Sequence, residues 1–115
     1  MKNNKDKKPW GSFEIIKEGK GYKIKKLMVL PGKRLSLQKH QQRKEHWVVV
    51  RGTAKVVVEK KEFILKQGEH CFIDIGENHR LENPEETILE VIEVQIGDYL
   101  EEDDIERLED DFNRI

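Results

Sequence analysis

Short runs rich in Val, Ile, Leu and Phe recur along this chain, and each is closed within a few residues by Gly or Pro. The runs are SFEII, YKIKKLMVL, RLSLQ, HWVVV, TAKVVV, EFILK, HCFIDI, HRLEN and ILEVIEVQI, with Pro31-Gly32, Arg51-Gly52, Gln67-Gly68, Ile75-Gly76 and Asn83-Pro84 among the turns between them. Apolar runs this short, broken this often, are the signature of strands. Nine of them in 115 residues predict an all-β sandwich or small barrel. After Gly97 the period changes. Ile105, Leu108 and Phe112 fall at helical spacing in DDIERLEDDF, so a short C-terminal amphipathic helix is expected, with Asp103 and Asp104 at its N-terminus.

The length suits one domain, and one compact unit must then carry any function. With 22 Lys+Arg against 23 Asp+Glu the formal net charge is -1, which argues against nucleic acid as a partner. Residues 1–8 are expected to be a disordered basic tail and residues 9–115 a single domain. There is neither a signal-peptide pattern nor an apolar stretch of the roughly 20 residues a membrane helix needs. The lone Cys71 excludes an internal disulfide and reads as a core thiol. These features predict a cytoplasmic protein.

Strand alternation sorts the stretch from Arg34 to His40 into two faces. Arg34, Ser36, Gln38 and His40 share one; Leu35 and Leu37 share the other. On the next strand Glu45, Trp47 and Val49 oppose His46, Val48 and Val50. If Glu45 faces the same interior as Gln38 and His40, and His79 joins them from GENHRLEN, two imidazoles, a carboxylate and an amide oxygen converge. That set suits a divalent transition metal: Zn, Mn, Co, Ni or Fe. Each residue alone equally suits a solvated polar face.

The spacing of these residues resembles that of the cupins, which are double-stranded β-helix (jelly-roll) barrels. The first cupin motif, G(X)5HXH(X)3,4E(X)6G, reads here as Gly32, Gln38, His40, Glu45 and Gly52, with Gln at the first His position. The second, G(X)5PXG(X)2H(X)3N, reads as Gly68, Asp74, Gly76, His79 and Asn83, with only the Pro changed. From Pro9 onward, the segments PWGSFE, GYKIKK, PGKRLSLQ, EHWVVVRGTAKV, HRLENP and IEVQIGDYL resemble the type II phosphomannose isomerase domain. That domain forms the C-terminal part of bifunctional mannose-1-phosphate guanylyltransferase/mannose-6-phosphate isomerases.

The resemblance implies Gln38, His40, Glu45 and His79 as metal ligands, with Gln38 a variant ligand normal in that family. It implies interconversion of mannose 6-phosphate and fructose 6-phosphate, a step of GDP-mannose biosynthesis. Such chemistry needs a base at the carbon acid, an electrophile at the developing oxyanion and cations for the phosphate. Lys23, Lys25 and Arg34 are the phosphate candidates, Arg34 first because its fork matches phosphate oxygens. Ser36 and Gln95 complete the expected substrate contacts. Glu93 is the candidate base, paired with Arg34 as the catalytic set; His46 falls on the face away from Glu45. Arg43 and Arg80 either rim the site or are solvated. The family carries His where this chain has Gln42. A non-catalytic sugar or sugar-nucleotide binding module acting beside a separate mannose-1-phosphate guanylyltransferase is the alternative. Leu35, Leu37, Val48 and Val50, on the face away from the site, predict a homodimer.

Overall fold

The computed structural model describes residues 5–115. Among the described residues eleven strands form: β1 Lys5–Lys8, β2 Gly11–Gly19, β3 Tyr22–Val29, β4 Leu37–Lys39, β5 Arg43–Arg51, β6 Ala54–Val58, β7 Lys61–Leu65, β8 His70–Ile73, β9 His79–Glu82, β10 Leu89–Gly97 and β11 Glu106–Glu109. They build a six-stranded sheet in the order β1-β2-β3-β10-β5-β8 and a five-stranded sheet in the order β11-β4-β9-β6-β7. Leu27, Val49 and Val91 of the first sheet, with Trp10 from the β1–β2 turn, pack into one core with Val56, Leu65 and Leu81 of the second. Among the described residues there is no helix, and hence none long and apolar enough to cross a membrane.

The register of the larger sheet explains how one barrel holds both a core and a site. Along β3, β10 and β5 every second side chain points inward, as the period of a strand requires. Cross-strand partners then form rows. Val29 opposes Leu89, and the next row is Leu27, Val91 and Val49. One step further the row is Lys25, Glu93 and Trp47, followed by Lys23, Gln95 and Glu45. The interior therefore passes from wholly apolar to strongly polar within two rows. The apolar end supplies the hydrophobic drive for closure, and the polar end is held in place by the same ladder.

Two glycines are required by geometry at opposite ends of this sheet. Gly52 turns the chain from β5 to β6 at φ 87, and a Cβ there would lie 2.8 Å from the Ile88 carbonyl oxygen. At the site end, a Cβ on Gly97 would meet the Gln42 carbonyl oxygen at 2.3 Å. That close approach lets the end of β10 pack against the turn that carries Gln41 and Gln42.

Two expectations fail. The C-terminal helix is absent: β11 pairs antiparallel with β4, setting Glu106 opposite Lys39 and Arg107 opposite Gln38. A ten-residue amphipathic stretch is a marginal helix on its own. β4 has an open edge whose backbone groups need partners, and Arg34 and Arg80 hold Asp111 and Glu109 alongside it. Tertiary pairing overrides the local period. The disordered tail is also wrong at its end, because Lys5–Lys8 pairs with Gly11–Glu14 as β1; residues 1–4 lie outside the described residues. Cys71 is half-buried against the core, where burial pushes its thiol up to about 12 and makes it a poor nucleophile.

Candidate metal centre and its cavity

A cavity of about 340 Å³ opens at the polar end of the barrel. His40, Glu45 and His79 meet in its wall, all buried, with their candidate ligand atoms within 4.8 Å of one another. They come from different layers: His79 begins β9 and His40 follows β4 in the five-stranded sheet, while Glu45 lies on β5 in the other.

Both imidazoles are oriented by backbone carbonyls. His40 Nδ1 lies 2.5 Å from the Asp104 oxygen, and His79 Nδ1 lies 2.9 Å from the Glu77 oxygen. A carbonyl only accepts, so each Nδ1 carries the proton; the His79 Nε2 keeps its lone pair for the cavity, and the His40 Nε2 accepts from Arg43 Nη2 at 3.2 Å. Burial holds the His79 imidazole below its usual range despite the opposing pull of Glu45, which keeps it in the neutral, ligating form. The Gln38 side chain donates from Nε2 to Ser36 Oγ at 3.0 Å, which occupies the amide nitrogen and leaves the oxygen as the available donor atom. Gln38 also sits directly opposite His79 across the β4–β9 pair.

Glu45 is 1% exposed. Its Oε1 accepts from Trp47 Nε1 at 2.9 Å and its Oε2 from Arg43 Nε at 2.9 Å. Burial alone would raise this carboxyl, but the adjoining His40, His79 and Arg43 hold it well below the usual carboxylate range. Glu93 behaves oppositely. Burial first, and then repulsion from Glu45, push it up to about 7 against the pull of Lys25 and Arg43. Gln95 Nε2 fixes its Oε1 at 2.6 Å. Two neighbouring carboxyls are thus driven apart: one permanently ionised, the other poised near neutrality.

Of the residues singled out from the sequence, Gln38, His40, Glu45, His79, Glu93 and Lys25 line the cavity. Ser36 and Gln95 are buried behind them as supports for Gln38 and Glu93. Lys23 donates to the Leu100 carbonyl at 2.7 Å and does not line the cavity. Arg34 is a correction. Its side chain is 38% exposed and bonded through Nε and Nη2 to Asp111 at 2.7 and 2.9 Å, outside the cavity. Only an isolated bridge to Glu82 pairs Arg34, so the regular alternation that places Gln38 does not reach back to it. Leu35 likewise packs toward the core and lines the cavity, and does not join an outer face. His46 points outward and stacks on Phe72 with ring centroids 4.8 Å apart.

Arg43 is buried inside the site, not solvated, and two-residue alternation back from Glu45 is the signal that marks it. The contribution of the C-terminal segment carried no such signal. Asp104 accepts from the backbone N–H groups of Gln41 and Gln42 at 3.0 Å each, besides orienting His40. Gln42 is exposed and held there by its backbone.

Two antiparallel sheets enclosing a buried His-Glu-His cluster define a cupin-type double-stranded β-helix. The cupin domain of Cnp3 from Schizosaccharomyces pombe superposes with a TM-score of 0.71 at 14% identity, covering 76% of this chain and 64% of that one. More narrowly, the family described as "Mannose-6-phosphate isomerase C-terminal" matches residues 2–110, and the chain belongs to it. It is 50% identical over 107 residues to the alginate biosynthesis protein AlgA of Pseudomonas aeruginosa, covering 93% of this chain and 22% of that protein. Against the mannose-1-phosphate guanylyltransferase of Escherichia coli K12 it is 45% identical over 108 residues, covering 94% and 23%. The chain thus spans about a fifth of the length of these relatives.

Proposed function

We propose that the chain is a metal-dependent aldose–ketose isomerase interconverting mannose 6-phosphate and fructose 6-phosphate. The observation that carries this reading is Glu93, a buried carboxyl that lines the same cavity as the His40, Glu45 and His79 cluster. Membership of the isomerase family supports it.

His40, Glu45 and His79, with the Gln38 oxygen, would hold a divalent transition metal: Zn, Mn, Co, Ni or Fe. When bound, such an ion polarises the carbonyl and adjacent hydroxyl oxygens of an open-chain sugar. Glu93 is the base of the reaction. It accepts the proton from C2 of the aldose and returns it to C1, while the C2 hydroxyl proton passes to the C1 oxygen. Gln95 fixes one of its oxygens and leaves the other for the transfer. Arg43 and Trp47 hold Glu45 in position, and Lys25 contributes a cation for the phosphate.

The direct test is interconversion of the two sugar phosphates by protein loaded with each metal in turn, alongside a His79→Ala variant. Turnover by no loaded form would sink the proposal; saturable binding without turnover would assign the binding-module reading beside a separate guanylyltransferase. A homodimer belongs to the same proposal. The outer face of the larger sheet carries Val48, Val50, Phe72 and Ile96, three of them more than a third exposed, and a second copy of this chain would cover them. Sedimentation velocity of a Val48→Asp variant checks it, with loss of the dimer expected.

A further inference from the structure

Of the three residues in the cluster, His40 depends most on chain far from it in sequence. Glu45 and His79 lie within β5 and β9, whereas His40 stands beyond the end of β4, a three-residue strand. β4 meets β9 at one register position, Gln38 opposite His79. The His40 carbonyl accepts from the Gly76 N–H at 2.8 Å, which fixes the backbone but not the ring. The ring is fixed by Asp104, whose carbonyl oxygen accepts from Nδ1 at 2.5 Å. The Asp104 carboxylate accepts at the same time from the N–H groups of Gln41 and Gln42, one on each oxygen, at 3.0 Å. One residue thus holds both the imidazole and the two peptide groups that follow it.

Asp104 differs from the other carboxylates of its segment. Glu102, Glu106, Glu109 and Asp111 each pair with a barrel cation, Lys25, Lys39, Arg80 and Arg34 respectively, through carboxylate side chains 42% to 65% exposed. Exposed pairs of that kind contribute little. Asp104 is half-buried and takes two backbone donors in charge-assisted hydrogen bonds, which are the stronger kind. The segment it anchors also forms part of the cavity wall, through Glu102, Asp103, Ile105 and Arg107.

We propose that Asp104 is a positioning residue for the metal centre, and that through it metal binding and the docking of residues 98–110 on the barrel reinforce each other. An imidazole that ligates a cation through one ring nitrogen is a stronger donor at the other, so the bond from His40 Nδ1 to the Asp104 oxygen tightens when the metal is seated. Coupling of this kind is reciprocal. The factor by which the docked segment raises metal affinity equals the factor by which the metal stabilises the docked segment. The inference rests on metal binding by His40, Glu45 and His79, one part of the reading above, and is independent of the isomerase reaction.

The test is calorimetric titration of the chelator-treated chain with zinc, together with hydrogen exchange of the Gln41 and Gln42 amides followed by NMR. Asp104→Ala should bind zinc about 10- to 100-fold more weakly than wild type. Asp104→Asn, which keeps one acceptor oxygen, should fall between the two. Glu106→Gln, which removes the same charge two residues away together with the pair to Lys39, should match wild type. Zinc should slow exchange of both amides about tenfold or more in wild type and leave it unchanged in Asp104→Ala. Wild-type zinc affinity in Asp104→Ala overturns the proposal and leaves the metal reading standing. An equal loss in Glu106→Gln, or wild-type amides that zinc does not slow, overturns it in the same way. If Asp104→Ala does not fold, Asp104→Asn and the wild-type exchange rates decide alone. Failure of the wild type to bind zinc overturns both the positioning role and the metal reading beneath it. Weaker zinc binding by Asp104→Ala, with no turnover of either sugar phosphate by any metal-loaded form, upholds the role and removes only the isomerase reading.

Discussion

Replacing Glu93 by Gln in the metal-free protein should change the pH dependence of folding stability in a direction opposite to that of most carboxylate variants. Glu93 is raised from the ordinary 4.5 to about 7 by burial and by Glu45. The folded state therefore holds this proton more tightly than the unfolded chain. Stability from this group is fully present below pH 4.5 and is lost as pH rises through 7, because the native state must then bury a second negative charge. Each pKa unit is worth about 1.36 kcal/mol, so the loss amounts to about 3 kcal/mol. Glutamine keeps the shape and the acceptor oxygen for Gln95 but never ionises. The variant should thus gain about 3 kcal/mol relative to wild type between pH 4.5 and 7.5. Working with the difference between the two proteins cancels His79, whose lowered value acts in the opposite sense over an overlapping range. Urea denaturation followed by fluorescence suits the measurement, since Trp10 and Trp47 are both buried. Parallel stability curves for the two proteins across that interval would refute the argument that Glu93 is forced to retain its proton.

Metal should stabilise the wild-type protein by about 2.7 kcal/mol at a free concentration one hundred times its Kd, seen as a rise in Tm that chelator reverses. His79→Ala should show no such rise. Gly52→Ala should cost about 2 kcal/mol or more, combining left-handed backbone strain at φ 87 with a contact at 2.8 Å, and chemical denaturation will measure it. Asn83 is buried; its Nδ2 donates to the carbonyls of Val29 and Thr87, and its Oδ1 accepts from the Glu85 N–H. Asn83→Ala should cost about 3 kcal/mol by the same assay, with the metal response of the folded protein retained.

The parts of the site that lie on regular strands were legible because strand geometry repeats every two residues. Glu45, Trp47 and Glu93 point inward for that reason, and Arg43 follows from the same rule taken two residues further back. The four motif glycines, Gly32, Gly52, Gly68 and Gly76, all adopt positive φ, so the turns too were encoded locally. Arg34 was not legible, because the chain around it is joined to the sheet by a single bridge and alternation carries no information there. The C-terminal segment misleads for a different reason. Ile105, Leu108 and Phe112 do repeat at helical spacing, but the open edge of β4 and the cations Arg34 and Arg80 decide its conformation. Both are supplied by residues far away in the chain, and no local window contains them.

The cluster draws its donors from both halves of the barrel, with His79 and Gln38 on the five-stranded sheet and Glu45 on the six-stranded one. An ion seated there would act as a rivet through the two layers. Letting the ion go and letting the sheets part at that end would become a single event, so the rate of metal exchange would be a clock for the breathing of the barrel itself.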